Sequence, residues 1–142
     1  MNIRLKSLFV FGLSAVIAIS LTVAIVAAPA KAKPSKHLVA LRDAAKEGVE
    51  LLEERFKNGL VQATDYSLLN ELSKKHAEAE AQMASDAKQR AKIYDAHLER
   101  MKKYKEYAEP RVKEGIDHPI SLKLMIIAVE EAELMIEYNA AK

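Results

Sequence analysis

One motif occurs twice in this chain, 56 residues apart, and it constrains the fold more than any other feature. The first copy, RFKNGLVQATDYSLL, runs from Arg55 to Leu69, and the second, RVKEGIDHPISLKLM, from Arg111 to Met125. Arg55/Arg111, Lys57/Lys113, Gly59/Gly115 and Leu68/Leu124 match outright. Apolar residues align at Phe56/Val112, Leu60/Ile116 and Leu69/Met125. Each copy closes one helical pattern and opens another, so the chain reads as repeated helical hairpins. Gly59 and Gly115 occupy the position after a helix where a left-handed backbone is wanted, and they are the expected structural turns.

The apolar spacing predicts an all-α fold. Pro34 and Ser35 suit a helix start, with Ser35 as N-cap. A first helix is expected from about Lys36 to Asn58, its stripe formed by Leu38, Leu41, Ala45, Val49, Leu52 and Phe56. A second begins near Thr64 or Asp65. No Gly or Pro interrupts Leu60 to Glu109, and Leu69, Leu72, His76, Ala79, Met83, Ala87, Ala91, Tyr94, Leu98, Met101 and Ala108 keep the three-and-four spacing. Continuous to about Glu114, this helix would be ~75 Å long, a coiled-coil length. Pro110 is expected to kink or restart it. A last helix is expected from Pro119 to about Tyr138, with core residues Leu122, Met125, Ile126, Val129, Ala132 and Ile136. Leu124, Ile127 and Leu134 widen its apolar face beyond a two-helix seam.

The expected architecture is therefore an elongated antiparallel coiled coil: short helix, one long central helix, short helix. The short helices would lie end to end beside the long one, meeting near Ala87 to Ala91. The alternative is a break near Ser85-Asp86 that folds the chain into a four-helix bundle. The two repeats span about 44–80 and 100–136 of a helical domain covering 33–142. A rod two helices thick buries little apolar surface, so self-association or docking on another helical protein is expected.

Residues 1–32 differ in kind. Arg4 and Lys6 precede an uncharged run from Ser7 to Ala30, followed by the small-residue patterns Ala28-Pro29-Ala30 and Ala30-Lys31-Ala32. This is the layout of a signal peptide; its length also suits an uncleaved membrane anchor and membrane association through this segment. The chain has no Cys, so an exported form would hold together by packing alone. Cleavage after Ala32 removes three of the 22 basic residues, leaving 19 against 20 acidic, a net charge of −1. That balance gives no reason to expect nucleic-acid binding.

Candidate chemistry is sparse. His76, His97 and His118 are spaced 21 residues apart, which on one helix separates neighbours by ~31 Å and precludes a shared metal. Ser67, Ser73 and Ser85 lie in no nucleophile motif, and no glycine-rich phosphate loop occurs. No cofactor, metal set or catalytic constellation is expected, and the chain reads as non-enzymatic. The best candidates for a docking surface are Arg100, Lys102, Lys103 and Lys105, beside Tyr104 and Tyr107, together with Glu130 and Glu131. Lysines next to tyrosines suit anionic lipid headgroups or an acidic helix; the plainer reading is a solvated helix face. Ala77, Ala79, Ala81, Ala84, Ala87 and Ala91 suit close helix approach.

The R-[FV]-K-x-G turns, each followed by an apolar pair and a helical pattern, resemble the helical repeat of TolC-type outer-membrane efflux proteins over roughly Ala44 to Ala140. That resemblance implies a long helix flanked by shorter helices stacked end to end, and a place in the periplasm. No alternating segments of ~10 residues suggest that family's barrel strands, so the resemblance implies a relative of its periplasmic part only. The function expected from all this is helix–helix association in the cell envelope. The other readings are a periplasmic chaperone that holds unfolded clients and a membrane-tethered scaffold.

Overall fold

The computed structural model describes residues 33–140, which form four helices: α1 Lys36–Lys57, α2 Ala63–Met83, α3 Ala87–Lys113 and α4 Pro119–Ala140. No strand occurs among the described residues. The signal or anchor segment expected at 1–32 lies outside them.

The helix ends are set by local chemistry. Ser35 caps α1, its Oγ accepting from the Leu38 N–H at 3.1 Å. Gly59 and Gly115 end α1 and α3 with φ of 70° and 73°. In each turn the glycine N–H reaches back three residues, to Phe56 O and Val112 O, and the next N–H reaches back five, to Arg55 O and Arg111 O. This paired closure is a Schellman motif, formed twice by the repeated sequence.

The long central helix is not formed. It divides at Ala84-Ser85-Asp86, so α2 and α3 are separate. No Gly or Pro makes this break. Ala84 turns extended at ψ 139°, and Asp86 caps α3 by accepting from the Gln89 N–H at 2.8 Å. The Gln89 side chain in turn accepts from the Ser85 N–H at 2.8 Å. These bonds satisfy backbone groups that a continuous helix would have paired internally. Pro110 does not restart a helix: α3 continues through it to Lys113. It lies in the last turn, where the ring removes one ladder bond, to Glu106 O, near the helix end.

The end-to-end rod is corrected with it. α1 and α2 form one antiparallel hairpin, α3 and α4 another, and α2 packs on all three other helices. Shifting α2 by the repeat distance superimposes its N-cap Gln62 on His118, the residue before α4. Both glycine turns lie at the same end of the bundle, where Phe56 packs against Tyr66, Tyr104 and Tyr107 with ring centroids 4.9, 4.6 and 5.5 Å away. The main core spans all four helices, including Leu52, Leu69, Met101, Met125 and Val129. Toward the α2–α3 connection it thins to Ala77, Ala81 and Tyr94. Ala77, Ala79, Ala81 and Ala84 are buried, whereas Ala87 and Ala91, the expected meeting point of the short helices, are exposed. Gly48 lets α1 approach α2: a Cβ there would come within 2.7 Å of Leu72 Cδ1.

Candidate functional site

A chain of polar side chains crosses the bundle interior. Ser73 of α2 and His97 of α3 lie on inward stripes, almost wholly buried. Ser73 Oγ lies 2.8 Å from His97 Nδ1. Arg100 Nη1 donates to the same Oγ at 2.9 Å, and Arg100 Nε lies 3.5 Å from Glu53 Oε1 of α1. Arg100 can only donate, so Ser73 Oγ accepts from it, while the direction of the Ser73–His97 bond follows the His97 tautomer. His97 Nε2 has no hydrogen-bond partner among the described residues. Burial holds its pKa down to about 4, and the Arg100 and Lys74 charges add to the effect while Glu131 opposes it. A serine hydrogen-bonded to a histidine is half of a nucleophile–base pair. Here Ser73 is 0% exposed and His97 1%, so no substrate can reach the hydroxyl. The contact ties three helices together.

A second cluster clasps the two turns. Arg111 forks onto Asp117, Nε to Oδ2 at 2.9 Å and Nη2 to Oδ1 at 3.0 Å. Asp117 Oδ2 also accepts the Tyr66 phenol at 2.5 Å. The Arg111 hydrogen bond holds the Asp117 carboxyl below the usual carboxylate range. Burial, and then Asp117, raise the Tyr66 phenol. The Arg111 guanidinium lies over the Tyr107 ring at 5.1 Å, and the Tyr107 hydroxyl donates to Phe56 O at 3.0 Å. In the first turn the matching arginine, Arg55, meets Asp65 at 3.0 Å, and Asp65 accepts from the Gln62 N–H at 2.9 Å. Each repeat therefore neutralises its arginine, but from a different position. The carboxylate is the third helical residue in the first repeat and a turn residue in the second.

The proposed docking residues are dispersed. Arg100 turns inward to Ser73 and Glu53 rather than outward. Lys102 lies 3.6 Å from Glu99, Lys103 lies over the Tyr104 ring at 5.0 Å, and Lys105 is half-buried. Glu130 is exposed on α4, while Glu131 accepts from the Asn70 amide at 2.9 Å.

An apolar row lies outward on α4 among exposed charges. Ile120, Ile127 and Leu134 are 46, 54 and 62% exposed at seven-residue intervals. Tyr138, near the C-terminal end of α4, and Ile116, in the turn before the helix, are also exposed. Leu124, Ile127 and Leu134 are legible in the sequence as surplus apolar surface; the heptad interval that includes Ile120 was the signal for the rest. Among the described residues no helix is long and apolar enough to cross a membrane, and no group of three acidic or histidine side chains is placed to hold a metal. Comparison with protein-family models, with curated proteins and with solved structures yields no match to this chain.

Proposed function

We propose that this chain is a non-enzymatic, exported protein of the cell envelope that works by helix–helix association, with the outer face of α4 as its binding surface. The observation that carries the reading is the row Ile120, Ile127 and Leu134, exposed at heptad spacing on a helix whose opposite side is fully engaged in the core. Heptad-spaced apolar side chains are what a second helix packs against. Export is supported by the signal-like layout of 1–32 alone. Kinship to the periplasmic part of TolC-type efflux proteins now leans on the two glycine turns, because the long helix of that family is here divided at Ser85.

A photo-crosslinking residue at position 127, in cells, tests the reading. The expected result is a discrete crosslinked species from the envelope fraction. Crosslinking no stronger than from exposed Glu114 overturns it. Sequencing the N-terminus of the purified protein tests export: a start near Lys31 or Lys33 is expected, and an intact Met1 places the chain on a tether instead.

A further inference from the structure

We infer that the partner for the α4 face is a second copy of the same chain, packed antiparallel about a two-fold axis through Ile127. The inference rests on the helix-association reading above and names its partner. The exposed apolar positions are self-complementary under that operation. Ile127 meets its own counterpart, and Ile120 meets Leu134. A two-fold interface requires such reciprocity, because one patch must serve as both surfaces.

The lateral positions agree. At about 100° per residue, a consequence of 3.6 residues per turn, Ile120 lies slightly to one side of Ile127 and Leu134 equally to the other. Lys123 and Glu130 flank the row on the same side, four residues before and three residues after Ile127. The two-fold reverses the helix direction but keeps each residue on its own side of the seam, so Lys123 of each copy comes beside Glu130 of the other. Lys123 is the lone cation on α4 and makes no ion pair within the described residues. Glu130 is exposed on the same side of α4. A parallel pairing would set Glu130 against Glu131 and leave Lys123 against Leu124. Charge thus selects the antiparallel arrangement, as flanking residues do in coiled coils.

The chain has no cysteine, which makes single-cysteine variants of the full chain direct reporters. Ile127→Cys is expected to oxidise to a disulfide-linked dimer. Ile120→Cys and Leu134→Cys are each expected to stay unlinked alone and to form a mixed disulfide when combined. Sedimentation velocity should show a dimer for the unaltered chain, and Ile127→Glu should weaken it at least tenfold with the circular dichroism spectrum retained. A monomer at tens of micromolar, an Ile120→Cys self-crosslink, or an undiminished Ile127→Glu dimer each overturns the proposal. Photo-crosslinking from position 127 to a different protein, without self-crosslinking, overturns the homodimer and leaves the helix-association reading standing. No crosslink at all removes both.

Discussion

Tyr66, in the first turn of α2, donates its phenol proton to Asp117, in the turn before α4, at 2.5 Å. The two residues are 51 positions apart, and each belongs to a different copy of the repeated motif. Their contact fixes both glycine turns at one end of the bundle. Tyr66→Phe removes this bond and leaves Arg111 on Asp117, so the expected loss is about 1.5–3 kcal/mol, the range for a hydrogen bond to a charged group. Thermal unfolding followed by circular dichroism reads it as a drop in Tm. An unchanged Tm would mean the turns are held together by the aromatic cluster alone.

His97 makes stability depend on acid. Its folded pKa, about 4, lies below its ordinary value of 6.5. Between these values the unfolded chain binds a proton that the folded chain refuses, so stability rises with pH. The contribution is complete above pH 7 and disappears as pH falls toward 4. The shift corresponds to about 3 kcal/mol. His76, also lowered by burial, adds in the same direction. Urea unfolding at pH 7.5 and pH 5 should show the loss. His97→Gln should be less stable at pH 7.5 but flatter over this interval, and a profile as steep as the parent's would place the proton elsewhere.

The glycines separate two kinds of constraint. Nothing stands within 4 Å of a Cβ at Gly59 or Gly115, yet both have positive φ. Gly59→Ala and Gly115→Ala are therefore expected to cost about 1–2 kcal/mol each from backbone strain alone, and valine more. Gly48 is the reverse case. Its helical backbone favours alanine by about 1 kcal/mol, and the atom a Cβ would strike is the end of the flexible, half-buried Leu72 side chain. Gly48→Ala is expected to be neutral within about 1 kcal/mol. Chemical denaturation of the three variants side by side checks the order.

The helical class, the first and last helix boundaries and both glycine turns were legible because each has a local signal: Ser35, Pro119, and glycine after a periodic stripe. The break at Ser85 was harder to read. Apolar periodicity runs across it, and the evidence against continuity is only the pair Asp86 and Gln89 at capping positions. The inward placement of Arg100 and the Ser73–His97 contact depend on α2 folding back on α3. No spacing rule along one helix contains that information. The exposed row on α4 was half visible: Ile127 and Leu134 widen the apolar face beyond a two-helix seam, whereas Leu124, expected with them, packs against the core, and Ile120 carries no signal of its own.

The three-residue connection between α2 and α3 is held open by side-chain caps rather than by backbone chemistry. The same periodicity that spells one long helix therefore remains available to the chain. With Asp86→Ala and Gln89→Ala together, the connection is expected to become helical, and the α1–α2 hairpin of one molecule then closes on the α3–α4 hairpin of another. Light scattering after chromatography at high concentration should reveal this exchanged dimer, and it should survive Ile127→Glu because its interface is the ordinary core. Two capping side chains thus decide whether each hairpin finds its mate within its own molecule or in a neighbour.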